Sequence, residues 1–251
     1  MTGNVFEAVK NAREFFCIQD FPGNLFTLLE KGDYAEKYKM LLFKEDIGKL
    51  SGFIGYGGDG FTVICINYKR PIGHQNFTLA HELGHWFLHK GQNISDEDKH
   101  IYSGELQEKE ASNFASEVLY PERFIEQDYC DILHKGLLQP DKRKDLAISV
   151  DALCKKYCLS FAMVLRNILY KGRQDSQYNS VHKQIEKSLG CKISEYFEKD
   201  FYVPNDERKE YQRLMTPYLE LEKKIDILVS RGKIGKATAE SIKLRNGIGV
   251  V

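Results

Sequence analysis

The sequence predicts an α+β fold, mostly helical. Three features predict it. Two β-prone runs flank a glycine-rich turn between residues 51 and 67. Apolar residues recur at helical spacing on both sides of that hairpin. A helix-compatible segment directly after it carries clustered histidines.

Val5, Val9, Ala12 and Phe16 set the period of an opening helix, and Phe21-Pro22-Gly23-Asn24 ends it. Asn24 is placed to cap a second helix through Leu25 to Glu30. Ser51-Gly52-Phe53-Ile54-Gly55-Tyr56 and Phe61-Thr62-Val63-Ile64-Cys65-Ile66-Asn67 read as strands. Gly57-Gly58-Asp59-Gly60 between them suits a hairpin turn, because glycine accepts positive φ without steric cost. A phosphate cradle would need Gly-Lys-Ser/Thr at the start of a helix, and the sequence lacks it. Asn76 or Thr78 starts the next helix, which runs through His89. The polar stretch from Lys90 to Gly104 reads as a loop. A helix from about Leu106 to Leu119 follows, and Pro121 ends it.

Leu146, Val150, Leu153, Tyr157, Phe161, Val164, Leu165 and Ile168 predict two or three short helices between Asp145 and Tyr170. Residues 171–177 form a linker. Tyr211, Leu214, Met215, Tyr218, Leu221, Ile225 and Leu228 then keep a helical period, which Pro217 kinks or splits. This stripe is expected to pack on the chain's own body.

The chain has 251 residues, 42% hydrophobic and 29% charged, enough to bury a core without disulfides. Lys+Arg and Asp+Glu are each 36, so no overall positive field draws it to nucleic acid or an anionic membrane. Its six cysteines are irregularly spaced, unlike a disulfide framework. The opening residues are amphipathic rather than an apolar signal core, and no run approaches the ~20 apolar residues of a membrane span. A cytoplasmic protein with reduced thiols and no membrane partner is expected.

The chemistry centres on His81-Glu82-Leu83-Gly84-His85, an H-E-x-x-H pattern. On a helix, residues i and i+4 share a face about 6 Å apart along the axis, so two imidazoles can converge on one zinc ion. Glu82 stands beside them as general base for water that zinc acidifies towards a pKa of ~7. His89 continues the stripe but lies about 12 Å from His81 along the axis, too far for one ion, so it is expected to support or pack. A third ligand must come from elsewhere. On the following helix, Asn113, Phe114 and Leu119 suggest the inward side and favour Glu110, with Glu117 as second choice. Glu108 lies roughly 160° round the helix from Glu110.

Cys154 and Cys158 are spaced i,i+4 and read as buried thiols rather than a second metal site. Lys142-Arg143-Lys144 and Lys155-Lys156 read as solvated faces, with DNA contact a lesser expectation.

The run Phe77-Thr78-Leu79-Ala80-His81-Glu82-Leu83-Gly84-His85-Trp86-Phe87-Leu88-His89 resembles the ImmA/IrrE family of metallopeptidases. So does Glu110-Ala111-Ser112-Asn113-Phe114-Ala115, followed by Leu119-Tyr120-Pro121. Ser112 stands where the family usually has asparagine. The resemblance covers about residues 20–170. It implies His81, His85 and Glu110 as metal ligands and Glu82 as base. It also implies a reduced thermolysin-like zincin core, with a short twisted sheet and the active-site helix beneath it. Residues 1–125 would form that peptidase domain, 140–172 a helix-turn-helix-like module, and 181–251 a helical region of unassigned role.

The activity implied is zinc-dependent, site-specific cleavage of a protein, typically a helix-turn-helix repressor that guards a mobile element, prophage or stress regulon. The alternatives are a metal-stabilised regulatory or binding protein and the toxin of a toxin–antitoxin-like pair. A peptidase cleft also calls for an edge strand to pair with substrate, expected at Val63 to Asn67. It further calls for an oxyanion donor, for which Tyr102, His100, Tyr120 and His89 are candidates.

Overall fold

The computed structural model describes residues 3–30, 38–56, 60, 62–90, 101–203 and 219–245. Along the chain run α1 (Gly3–Phe15), α2 (Leu25–Glu30), β1 (Met40–Glu45), β2 (Gly52–Tyr56) and β3 (Thr62–Asn67). Then come α3 (Ile72–His89), α4 (Ile101–Leu119), α5 (Glu122–His134), α6 (Arg143–Tyr157), α7 (Phe161–Lys171) and α8 (Tyr178–Leu189). The short α9 (Ile193–Tyr196) and α10 (Lys199–Tyr202) follow, and α11 (Leu219–Ser230) and α12 (Lys236–Arg245) close the described chain. The fold is α+β, as the sequence predicts.

The chain packs as two compact units, each discontinuous in sequence. One comprises Met1–Leu25 and Lys69–Asn205, the other Phe26–Tyr68 and Asp206–Val251.

In the first unit α3 lies along α4, and α1 packs on both. Val5, Val9, Ala12 and Phe16 are all buried, so the predicted period of α1 is its packing face. α3 begins at Ile72 behind Pro71, whose fixed φ suits a helix start, four residues before the expected Asn76. Asn76 is instead buried inside the helix. Its Oδ1 accepts from the Leu25 N–H at 2.8 Å, and its Nδ2 donates to the Gly23 carbonyl at 2.8 Å and the Cys158 carbonyl at 3.0 Å. One amide therefore satisfies the start of α2 and fastens two distant loops to α3. A Cβ on Gly73 would lie 2.3 Å from the Leu159 carbonyl carbon, so α3 reaches the α6–α7 turn only because residue 73 has no side chain.

α4 starts at Ile101, so the end of the expected polar loop is helical. The segment 143–171 forms two helices. Cys158 sits between them in the left-handed region (φ 54°), and the Ser160 hydroxyl accepts from the Met163 N–H. The buried Asp128 accepts from Tyr120 at 2.9 Å and Tyr157 at 2.7 Å, and the two phenol rings stack at 4.1 Å.

In the second unit the sheet order is β1-β3-β2. β2 pairs with β3 antiparallel, as the hairpin reading requires, while β1 joins β3 in parallel. Residues 57–59 of the turn lie outside the described residues, and Gly60 has φ 83°. β1 makes β3 the central strand, with Ile64 and Ile66 fully buried. Val63 to Asn67 is therefore not an edge, because both its flanks are already hydrogen-bonded.

Also in this unit, Ile225 on α11 and Ala239 on α12 share a small core with Val229, Ile234 and Ile242. The expected stripe from Tyr211 to Tyr218, with Pro217, lies outside the described residues.

Candidate metal centre

Gly84 on α3 faces the α4 backbone. A Cβ there would lie 3.0 Å from Ala111 Cα and 3.0 Å from the Phe114 ring. This close approach brings Glu108 and Ser112, one turn apart on α4, against the histidines of α3. His81 Nε2 is 3.1 Å from His85 Nε2 and 3.1 Å from Glu108 Oε2, and His85 Nε2 is 3.3 Å from Glu108 Oε1. Ligands on a tetrahedral zinc, with bonds near 2.0–2.1 Å, stand about 3.3 Å from one another. The three side chains therefore converge with the spacing and donor chemistry of a metal-binding triad.

The other ring nitrogens are also engaged. His81 Nδ1 lies 3.2 Å from Ser112 Oγ. His85 Nδ1 lies 3.0 Å from His89 Nδ1, and His89 Nε2 lies 3.3 Å from Glu110 Oε2. Glu108 is 63% exposed and Glu110 only 15%, so the triad opens to solvent on the Glu108 side.

Burial pushes the affinities of His81 and His85 for protons below the ordinary histidine value. Glu108 partly opposes this at both rings, and at His85 the neighbouring His81 adds to it. The neutral imidazole, the form that binds a metal, is thereby favoured. Glu82 is buried, and burial, with the charge of Glu108 second, pushes its carboxyl up to about 7. A carboxyl in that range gains and loses a proton near neutrality.

The structure brings His81 and His85 together as expected and buries Glu82 next to His81. It does not bring Glu110 to them: Glu110 lies against His89, and Glu108 takes the place expected for it. The reason is helix phase. Asn113, used to set the inward side, is exposed, whereas Ala111, Phe114, Ala115, Val118 and Leu119 are buried. That stripe puts Glu108 and Ser112 on one flank of the contact and Glu110 on the other. The signal for Glu108 was present in the sequence: small residues at 111 and 115 match the glycine of the histidine helix, and Glu108 precedes them by one turn. Glu117, the second choice, accepts from the Glu122 N–H and faces a cavity lined by Arg13 and Arg123.

Among the oxyanion candidates, Tyr120 is buried and committed to Asp128, and His89 supports His85. His100 and the Tyr102 side chain lie outside the described residues. Cys154 and Cys158 are buried, and burial pushes the Cys154 thiol up to about 12. Lys142, Lys155 and Lys156 are within ion-pair distance of Asp145, Asp151 and Asp128. Among the described residues no helix is long and apolar enough to cross a membrane.

Residues 35–156 match the peptidase M78 family model, described as the IrrE N-terminal-like domain. Over 91 residues the chain is 31% identical to Metallopeptidase ImmA of Bacillus subtilis (strain 168). That stretch is 36% of this chain and 53% of the relative, so the chain spans about half the length of the curated relative it matches. The segment that builds the centre, residues 35–156, belongs to the ImmA/IrrE family of metallopeptidases.

Proposed function

We propose that this protein is a zinc-dependent endopeptidase of the cytoplasm, with His81, His85 and Glu108 as metal ligands and Glu82 as general base. The observation that carries this reading is the convergence of His81 Nε2, His85 Nε2 and the Glu108 carboxylate beside a buried glutamate. Two imidazoles and one carboxylate are the donors of a catalytic zinc, since three protein ligands leave a position open. When bound, the ion supplies Lewis-acid polarisation of a peptide carbonyl and acidification of water.

The chain's own part is to hold and move protons. Glu82, held near neutrality by burial, accepts a proton from the attacking water and returns it to the departing amine. The exposed flank at Glu108 admits the substrate, and the packed α3–α4 interface keeps the histidine rings in place.

The activities of the family support a helix-turn-helix repressor as the substrate. The test uses the full chain. Metal analysis is run on the wild type, His81→Ala and Glu82→Gln, followed by incubation with a candidate repressor and mass spectrometry of the products. The expected result is about one zinc per chain in the wild type and Glu82→Gln, none in His81→Ala, and a single cut only by the wild type. Loss of the base should lower the rate by about 10²–10⁴-fold. Cleavage by Glu82→Gln at the wild-type rate would overturn the assignment of the base. No zinc uptake by the wild type would overturn the metal centre.

A further inference from the structure

We propose that the cavity between α1, the turn that follows it and the junction of α4 with α5 binds a small organic anion, a carboxylate on an apolar body. Arg13 and Arg123 take the carboxylate, and the apolar wall takes the body. The site stands apart from the metal centre: Glu117, on its wall, is about 14 Å along α4 from Glu108. α1 also precedes residues 35–156, the stretch that matches the family model.

The cavity has a volume of about 610 Å³, within the roughly 300–1,000 Å³ of small-molecule sites. Its wall is apolar at Phe6, Val9, Ile18 and Pro121, and Arg13 and Arg123 converge on it. Phe6 is 65% exposed, so part of the apolar wall is open to solvent.

Arg13 Nη2 donates to the Gln19 carbonyl at 2.8 Å and to the Asp20 carbonyl. Arg123 Nη2 donates to Asp20 Oδ1 at 3.0 Å and to the same Gln19 carbonyl at 3.4 Å, so the two cations stand side by side. Among the described residues, Nε and Nη1 of both guanidiniums are without an acceptor, and no carboxylate lies within ion-pair distance of Arg13. Burial first, and Arg123 second, lower the hold of Arg13 on its proton, against the opposing pull of Glu117 and Asp20. An anion between two like charges relieves them, and it accepts charge-assisted hydrogen bonds from the unused N–H groups. Phe124 lies against the Arg123 guanidinium, with Cζ 4.7 Å from the ring centroid, and orients its plane.

The turn after α1 presents both cations. Cys17 ends the helix in the left-handed region, φ 53°, where glycine is usual. The Ile18 N–H then returns to the Arg13 carbonyl at 2.8 Å, which tucks Ile18 inward and brings Gln19 and Asp20 back to Arg13. Of the other charged wall residues, Lys10 favours an anion, while Glu14 and Glu117 oppose it. Glu117 Oε2 is tied to the Glu122 N–H at 3.2 Å. Removing the Glu117 charge should therefore tighten binding.

The test uses the full chain and two probes of one shape, a naphthalene carboxylate and its neutral carboxamide. Binding is read as protection of the Cys17 thiol from iodoacetamide, quantified by peptide mass spectrometry. Cys17 lines the cavity and is exposed; Cys130 is exposed outside the cavity and serves as the reference within the same molecule. The carboxylate is expected to slow alkylation of Cys17 saturably and leave Cys130 unchanged. The amide should bind about tenfold more weakly or worse. Arg13→Gln is expected to weaken binding of the carboxylate by about tenfold or more. Phe6→Ser should weaken both probes alike. Glu117→Gln should tighten the carboxylate by about two- to fivefold and leave the amide unchanged. Circular dichroism checks folding, and Arg123→Gln replaces Arg13→Gln if the latter does not fold.

No protection of Cys17 by the carboxylate overturns the proposal, as does equal protection by acid and amide. Equal slowing at Cys17 and Cys130 overturns it too, as does a folded Arg13→Gln that binds the carboxylate within about twofold of the wild type. These readouts do not involve zinc, so the metal centre stands or falls separately.

Discussion

Glu108 and Glu110 stand two positions apart on α4 and differ in the histidines they meet: Glu108 lies against both histidines of the motif and Glu110 against His89. The consequence is measurable. Glu108→Ala is expected to weaken zinc binding by more than the roughly 10–100-fold typical of an outer partner, and Glu110→Ala by no more than that. Chelator competition on both variants checks the order, and a larger loss in Glu110→Ala would return Glu110 to the role of ligand. His81, Glu82 and His85 were legible in the sequence because the relevant geometry is local: a helix puts i and i+4 on one face whatever surrounds it. The third side chain of the cluster was not, because its position depends on the rotational phase of a second helix. Asn113 is polar yet looked inward, being next to Phe114. The exposed Asn113 and buried Ala111 show a contact face governed by small residues that let two backbones meet. Hydrophobic periodicity underweights alanine and glycine, so it read the wrong flank.

At the scale of elements, two glycines of α3 set how closely it meets its neighbours. Gly→Ala in a helix ordinarily stabilises by about 1 kcal/mol through propensity. At Gly73 the new Cβ would sit 2.3 Å from the Leu159 carbonyl carbon and 2.5 Å from the Ser160 nitrogen, both backbone atoms that cannot swing aside. Overpacking costs about 1–3 kcal/mol and occasionally more, and it exceeds the propensity gain here. Gly73→Ala is therefore expected to be destabilised, with a lower urea midpoint and little change in slope; a raised midpoint would contradict the packing of α3 on the α6–α7 turn. At Gly84 the nearest atoms are 3.0 Å away, so Ala is tolerated at a smaller cost. The displacement of α4 that it requires moves Glu108 and Ser112, so Gly84→Ala should show reduced zinc affinity even where its thermal midpoint is close to that of the wild type. Equal affinity would separate helix spacing from the metal centre. The sheet shows why some elements stayed illegible. The β2–β3 hairpin is a contact between near neighbours and announces itself through its glycines. β1 joins β3 in parallel across a long connection, and Met40-Leu41-Leu42-Phe43-Lys44-Glu45 lacks the alternation that marks a half-buried strand. Missing β1 is what made β3 look like an edge.

For the chain as a whole, the helical core of the first unit depends on phenols held as phenols. Asp128 accepts from Tyr120 and Tyr157, and Asp151 accepts from Tyr202 at 2.6 Å. In each tyrosine burial comes first in pushing proton affinity well above the ordinary value. The carboxylate partner adds to it, and at Tyr202 so does Cys154. The Cys154 thiol is itself pushed up to about 12. Once unfolded, these tyrosines ionise near pH 10, while in the folded chain they keep their protons to higher pH. Above that point the unfolded state binds fewer protons than the folded one, so stability falls as pH rises; below it the contribution is complete. The urea midpoint is therefore expected to vary little on this account between pH 7 and about 9 and to decline steeply above about 10. An alkaline titration that follows the phenolate absorbance of the 14 tyrosines checks this. A residual fraction is expected to gain phenolate absorbance only as the near-ultraviolet dichroism of the folded chain disappears. Tyr120→Phe and Tyr157→Phe remove an ionisable phenol each and should flatten the decline, although each leaves Asp128 one donor short and lowers stability at pH 7 by about 1–3 kcal/mol. Complete and reversible ionisation of all the tyrosines near pH 10, with the fold intact, would show that the carboxylate–phenol clusters do not hold their protons as the packing requires.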